Sequence, residues 1–278
     1  MNDTYGLIGA PVAHSLSPAM HNYWFKQYDI SAHYQTHLVE LENLDQAVSR
    51  LKKSGVKGFN VTYPLKTAIL PLLDTVDEAA KEIGAVNTVV CSDDRLIGYN
   101  TDGAGFLEGL KQHFPELSGQ HPSILIIGAG GAARSVALTL ARAIGTRVDI
   151  ANRTFDKAVK LSTACSVYAQ SVPLTFKQAE LQLDRYKVVI NTTPIGFDIH
   201  ENHPFICLDG VRSDTLFTDL IYQPRRTAFL QDAEHRGYPV MNGLPMLVYQ
   251  GALAFEKWNG FVPETKKMEE HLIHKYLN

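Results

Sequence analysis

Apolar residues recur along this chain in two alternating spacings: compact runs of four or five, and longer stretches in which they return every three or four positions. Tyr5–Ile8, Gly58–Thr62, Ala85–Val90, Ser123–Ile127, Arg147–Ala151 and Lys187–Asn191 read as strands. Helical spacing is clear at Met20, Tyr23, Trp24 and Tyr28, behind a Ser17-Pro18 start in which serine suits the N-cap and proline the first helical position. Pro64–Leu73 also reads as a helix. So do a segment from the Asn100-Thr101-Asp102-Gly103 turn to about Lys111, a segment ending near Ile144, and the tail from Gly243 to Asn278. Strands alternating with helices predict an α/β protein with mostly parallel sheets. A linker candidate, Pro115 to Pro122 with Ser118, Gly119 and Gln120, precedes the most apolar strand of the chain, Ser123–Ile127. The 278 residues suit roughly two domains. One is expected over 1–103 with the final helices, 240–278, returned to it, and the other over 104–239.

Composition narrows the possibilities by exclusion. Lys+Arg 26 against Asp+Glu 29 gives a net charge of −3, with 45% hydrophobic and 20% charged residues, the profile of a globular chain with an ample core. No basic excess points to nucleic acid. The longest apolar runs, Ile124–Ile127 and Val188–Ile190, fall far short of a membrane span. Met-Asn-Asp-Thr-Tyr at the start carries no secretory signature, and Cys91, Cys165 and Cys207 form neither an even set nor a CxxC pair. A reduced, cytoplasmic setting is expected, without disulfides or structural zinc. None of the eleven histidines sits in metal-ligand spacing, so no metal is expected.

Candidate chemistry enters first at Gly128-Ala129-Gly130-Gly131-Ala132, between a buried-type strand and a helix. Glycines there let the chain turn tightly and bring a pyrophosphate to the amides of a helix N-terminus. The same turn could exist without a ligand. The end of the next strand adds to the case. An NAD site needs an acid there, for the ribose 2′-hydroxyl. This chain runs instead from Asp149 into Asn152-Arg153-Thr154, with Lys157 close behind, a set that suits a 2′-phosphate. NADP is therefore expected over NAD, with Asp156 a residue that could merely cap the following helix.

Other residues are ones that stability alone does not ask for. Ser15 and Ser17 place two hydroxyls at a helix N-terminus, a carboxylate site or simply a capped helix. Lys66, in the predicted first turn after Pro64, would oppose the helix dipole, which would push its amine toward easier proton loss. Asp102 could cap a helix or hold the Lys66 ammonium as an acid/base pair. Asn87 lies in an apolar run and needs a partner if buried. Gln250 shares a helical stripe with Leu247, Gly251, Ala254 and Trp258, where a hydrocarbon is expected.

Eight short motifs in order resemble those of the shikimate dehydrogenase family. They are Ser15-Leu16-Ser17-Pro18, Asn60 to Lys66, Gly84 to Thr88, Asn100 to Gly103, Gly128 to Ala132, Asn152 to Thr154, Asp219 to Pro224 and Gly243 to Gln250. The resemblance covers essentially the whole chain. It implies an open α/β substrate-binding domain and a Rossmann NADP-binding domain, with the active-site cleft between them. It also implies NADP-linked interconversion of 3-dehydroshikimate and shikimate in aromatic amino-acid biosynthesis. By the same resemblance Ser15, Ser17, Thr62, Lys66, Asn87, Asp102, Tyr222 and Gln250 would hold the substrate. Gly128, Ala129, Gly130, Gly131, Ala132, Asn152, Arg153, Thr154, Lys157, Thr192, Leu220, Gly243 and Met246 would line the cofactor. Two positions depart from the usual pattern: Leu65 where many members have histidine, and Pro245 where glycine is more usual.

In the implied reaction, reduction of the C3 carbonyl leaves an alkoxide that must be protonated. Lys66 is expected to donate that proton or hydrogen-bond the carbonyl, with Asp102 orienting it; the pair would titrate as a unit. Three rivals remain at this point, one of them another Rossmann dehydrogenase with unrelated substrates, which would explain the glycine turn but not the first hundred residues. Quinate would need room and a partner for its C1 hydroxyl near Ser15 and Ser17, and Ser17 leans toward shikimate. A non-catalytic ligand sensor on the same fold is opposed by the retained Lys66, Asp102 and loop glycines. Partners are expected to be a small-molecule substrate, with no nucleic acid and no membrane, in a monomer or homodimer.

Overall fold

The computed structural model describes residues 2–117, 119, 121–144, 147–198 and 205–277. It divides into two compact units. One comprises the residues up to Gly105 with Val248–Tyr276, the other Phe106–Leu247, so the divisions fall at 105/106 and 247/248.

The first unit is built on a six-stranded mixed sheet. Its elements in chain order are β1 (Asp3–Gly9), α1 (Ser17–Gln27), β2 (Ala32–Leu38), α2 (Leu44–Lys53), β3 (Gly58–Val61), β4 (Thr75–Val76), α3 (Glu78–Ile83), β5 (Thr88–Ser92), β6 (Arg95–Tyr99) and the start of α4 (Asp102–His113). The sheet order is β2-β1-β3-β5-β6-β4. β1 runs parallel to both β2 and β3, whereas β5 is antiparallel to β3 and β6. All four residues of β3 are buried, as expected of a central strand covered on both faces. One core cluster joins Ile8, Phe59, Val61 and Val89 to Val48 and Leu51 of α2.

Three local expectations change here. Pro64–Leu73 is not an α-helix: it is a run of turns closed by a 3₁₀ turn at Leu70–Leu72. Pro71 lacks the N–H and crowds the carbonyl four residues back, so a helix cannot run through the segment. Its apolar spacing arises because Leu65 and Ile69, linked by one Ile69 N–H to Leu65 O bond, both enter the core. Strand β5 begins at Thr88 rather than Ala85, because α3 ends on Gly84 in the left-handed region (φ 70) and the chain needs Ala85–Asn87 to turn back. Ser17 is not the N-cap of α1. Leu16 holds that place, and the Ser17 N–H donates to Ser15 Oγ at 3.2 Å.

The second unit begins with the remainder of α4 and contains β7 (Ser123–Ile127), α5 (Gly131–Ile144), β8 (Arg147–Ala151), α6 (Phe155–Cys165), β9 (Pro173–Leu174), α7 (Phe176–Glu180), β10 (Val188–Asn191), β11 (Leu216–Asp219), α8 (Ala228–His235) and β12 (Val240–Met241). Its sheet order is β12-β11-β10-β7-β8-β9, with every pair parallel. The strand order thus reverses direction between β7 and β10, the crevice where doubly wound sheets bind nucleotides. Of the linker candidate, Pro115–Leu117 forms a 3₁₀ turn, and Ser118 and Gln120 lie outside the described residues. Helix α9 (Leu244–Asn259) then carries the chain back to the first unit, where α10 (Lys266–Tyr276) ends it.

Helices α1 and α9 enclose an aromatic cluster over β2 containing His21, Trp24, Phe25, Tyr34, Phe255 and Trp258. His21 is completely buried, stacks on Tyr34 at 4.5 Å, and neither of its ring nitrogens has a hydrogen-bond partner. Burial pushes its pKa down to about 3, so it folds as a neutral ring. The unfolded chain binds that proton near pH 6.5, so the stabilisation is complete above about 6.5 and drains away as pH falls toward 3. Between pH 8 and pH 5 the wild type is expected to lose about 2 kcal/mol more unfolding free energy than His21→Phe, whose flat ring keeps the stack. Denaturant unfolding of both proteins at the two pH values measures this; equal losses would place the acid lability elsewhere.

Candidate active site

In the first unit, the ends of β1 and β3 and the segments around Asn87 and Asp102 supply a cluster of polar side chains. Lys66 lies in the turns after β3, and its Nζ donates to Asp102 Oδ2 at 2.6 Å. The lysine side chain is 26% exposed and the aspartate 7%, so the amine reaches solvent while its partner is held inside. No helix lies behind Lys66, so the dipole expected to act on its amine is absent; its position comes from the Val86 N–H to Lys66 O bond at 2.8 Å. Asp102 opens α4, yet its carboxylate does not cap it. The Asp102 N–H is taken by Asn100 Oδ1 at 3.1 Å, and the second carboxylate oxygen accepts from Asn87 Nδ2 at 2.8 Å.

Asn87 is buried and fully used. Its Oδ1 accepts from the Thr101 N–H at 2.8 Å and the Thr88 hydroxyl at 2.9 Å, and its Nδ2 also reaches Gln250 Oε1 at 3.3 Å. The Thr101 hydroxyl donates to Gln250 O at 3.0 Å, fastening α9 to the start of α4. Lys66, Asp102, Asn87 and Gln250 therefore form one connected group. Ser15 and Ser17 stand at the start of α1. Thr62, just beyond β3, is held by its N–H to Ile8 O, and its side chain makes no hydrogen bond among the described residues. Sequence reasoning passed over Thr101, Thr88, Asn60 and Tyr34. The available signal was Asn60, an amide between Phe59 and Val61 in a strand buried on both faces.

Leu65 has a plain structural reason. It is completely buried in the core beside Val61 and Ile69, where a polar ring would lack partners. Pro245 lies in the first turn of α9, where a missing N–H is harmless.

In the second unit the residues expected to line the cofactor, together with Tyr222, expected on the substrate, follow the carboxyl ends of five neighbouring strands: Gly128 to Ala132 after β7, Asn152 to Lys157 after β8, Thr192 after β10, Leu220 and Tyr222 after β11, and Gly243 and Met246 after β12. Gly128 has φ +118, and a Cβ there would collide with Thr192 Oγ1 across the β7/β10 crevice. Thr192 Oγ1 itself donates to Ile127 O at 2.7 Å. A Cβ on Gly130 or Gly131 would meet nothing within 4 Å, so the turn leaves open space directly before the N-terminus of α5. That is the cradle a pyrophosphate requires.

The carboxylate of β8 is already engaged. Asp149 is wholly buried and bound by Arg147 Nε at 2.7 Å, the Tyr186 hydroxyl at 2.7 Å and the Val172 N–H at 2.9 Å, so it cannot reach a ribose. Past the strand, Arg153 and Lys157 are exposed, and among the described residues neither side chain joins a hydrogen bond or ion pair. Asn152 Nδ2 donates to Thr154 O at 2.8 Å and shapes this loop. The residues present thus fit a dinucleotide carrying a 2′-phosphate. On the far side of the crevice Asp219 accepts from the Ile221 N–H, Asn191 Nδ2 and the Thr227 hydroxyl, which fixes the loop bearing Leu220 and Tyr222. Burial pushes its carboxyl up to about 6 despite those bonds.

Among the described residues no helix is long and apolar enough to cross a membrane, and no group of three or more His, Cys, Asp or Glu is placed to hold a metal ion.

A parallel sheet in this order, with a glycine turn at its switch point, is that of the dinucleotide-dependent oxidoreductases. Comparison with known proteins narrows the class. The family profile for the shikimate dehydrogenase substrate binding domain matches residues 7–89, that for shikimate / quinate 5-dehydrogenase residues 108–225, and that for the shikimate 5′-dehydrogenase C-terminal domain residues 243–273. The shikimate dehydrogenase (NADP(+)) of Bacillus cereus (strain AH187) is 45% identical over 275 residues, 99% of each chain. A shikimate dehydrogenase crystallised in complex with NADP+ superposes with a TM-score of 0.90 at 38% identity, covering 99% of this chain and 96% of that one. The shikimate 5-dehydrogenase of Thermus thermophilus, in complex with NADP(H) and shikimate, gives 0.86 at 36% identity over 96% of this chain and 97% of that one. The chain belongs to the shikimate dehydrogenase family.

Proposed function

We propose that this protein catalyses the reversible, NADP-dependent interconversion of shikimate and 3-dehydroshikimate, in the cytoplasm. The observation that carries the reading is the Lys66–Asp102 contact at 2.6 Å, in a chain of this family. The free cysteines Cys91, Cys165 and Cys207 accord with a reducing compartment. The substrate is assigned to residues of the first unit and to Tyr222, and the cofactor to residues of the second unit. The hydroxyls of Ser15 and Ser17 would take the substrate carboxylate, with Thr62, Asn87, Tyr222 and Gln250 on the ring hydroxyls. Gly128 to Ala132 would cradle the pyrophosphate, Asn152, Arg153, Thr154 and Lys157 the adenosine 2′-phosphate, and Thr192, Leu220, Gly243 and Met246 the nicotinamide half. NADP+ supplies the hydride acceptor when bound. The protein's own task is the proton. Lys66 accepts it from the ring hydroxyl during oxidation and returns it to the carbonyl oxygen during reduction. Asp102 aims the amine and offsets its charge, and Asn87 holds Asp102.

Purified protein with NADP+ is expected to form NADPH from shikimate, with kcat/KM on the order of 10²-fold above that for quinate, whose extra hydroxyl finds no partner assigned to it. Absence of turnover with shikimate would overturn the reading, and a preference for quinate would reassign the substrate.

A further inference from the structure

The polar group around Lys66 continues behind Asn87, into the sheet. Asn60 is buried in β3, and its Nδ2 donates to Asn87 O and to Thr88 Oγ1, both at 3.1 Å. A backbone carbonyl can only accept, so Asn60 must turn its NH₂ that way. Its Oδ1 then faces the Tyr34 hydroxyl at 2.8 Å, which must donate. The Thr88 hydroxyl, having accepted from Asn60, donates to Asn87 Oδ1 at 2.9 Å. The Thr101 N–H, which can only donate, reaches the same oxygen. Asn87 Nδ2 is thereby aimed at Asp102 Oδ1, and Asp102 Oδ2 at Lys66. Each link has a single polarity.

Ser17 also acts on the Tyr34 hydroxyl, easing its pKa down against the rise that burial imposes. Tyr34 is completely buried, and burial holds its pKa well above the usual tyrosine value, so the proton stays in place at working pH. Its ring rests on His21 with an interplanar angle of 14°, so packing holds the ring whether or not the oxygen is there.

We propose that Tyr34 is a positioning residue of the reaction: through Asn60 and Thr88 it sets how Asn87 presents its amide to Asp102, and Asp102 to Lys66. This rests on the proposed function, because the role of Lys66 is taken from it. Loss of the phenol proton leaves Asn60 Oδ1 buried without a donor, and the amide, still tied by its NH₂ to Asn87 O and Thr88 Oγ1, loses its anchor on the other side and can shift with them.

The experiment is a set of cycles on the full chain. Wild-type turnover of shikimate with NADP+ is measured first, its absence overturning the proposed function itself. Tyr34→Phe is then expected to lower kcat/KM for shikimate about tenfold, the effect of one neutral hydrogen bond, with the KM for NADP+ within about twofold of wild type. Thr88→Val, which suits a strand and removes the next link, is expected to do the same. In an Asp102→Asn background either change is expected to cost less than about twofold, because the path it acts through has been cut. Wild-type turnover in both single variants, or a tenfold loss that persists in the Asp102→Asn background, would overturn the proposal and leave only a structural role. If Tyr34→Phe does not fold, Thr88→Val decides by the same two readouts.

Discussion

Replacing Lys66 with alanine is expected to lower kcat for shikimate oxidation by about 10²- to 10⁴-fold, the range of a lost general acid/base, while the KM for NADP+ stays within about twofold. The split follows from location. Lys66 and its partners Asp102, Asn87 and Gln250 all lie in the first unit, whereas the glycine turn and the Arg153 loop lie in the second. Removing the amine also leaves Asp102, only 7% exposed, with a carboxylate oxygen facing a gap. Lys66→Ala is therefore expected to be harsher than Lys66→Arg, which keeps the charge but cannot readily give up a proton. Steady-state kinetics with both substrates varied, and single-turnover measurements, test the split. Near-wild-type turnover in Lys66→Ala would remove the residue from the chemistry, and an equal loss in cofactor affinity would mean that the fold had been disturbed.

The second large effect concerns the cofactor. Arg153→Ala is expected to lower kcat/KM for NADP+ by about 10- to 10²-fold, one to two charge-assisted bonds to a phosphate, and Arg153→Ala with Lys157→Ala by more. Activity with NAD+ is expected to change by less than about threefold, since that ligand has no 2′-phosphate for either cation to meet. The prediction depends on Asp149 being unavailable, and its three internal donors make it so. Parallel kinetics with NADP+ and NAD+ give the answer. A fall of equal size for both cofactors would assign Arg153 to the common part of the dinucleotide.

Some of this was legible in the chain because its causes are local. Ser123–Ile127, Arg147–Ala151 and the glycine turn between them were readable from short-range spacing, since a buried strand, a sharp turn and a helix start each need particular residues within a few positions. The reading failed where a local pattern had a nonlocal cause. Leu65 and Ile69 are spaced as on a helix, but they meet the core from a run of turns that Pro71 keeps from becoming helical. Ser17 looks like a helix cap in the sequence, yet Leu16 holds that place, and Asp102 passes over the backbone of α4 for Lys66 and Asn87. For Asp102 a more distant partner outcompeted the nearby backbone.

The sequence by itself determined the alternation of strands and helices, the glycine turn, and the basic character of the loop after β8. These depend on side-chain periodicity, backbone freedom at glycine and formal charge, which a single residue and its neighbours already carry. Only the tertiary structure decided that Lys66 meets Asp102, that Asp149 is consumed by Arg147 and Tyr186, and that Asn60 joins Tyr34 to Asn87. A buried polar atom takes whichever partner the packed sheet brings within about 3 Å of it. Strand order and register bring Asn60 beside Thr88, and neither is written in the residues adjacent to them.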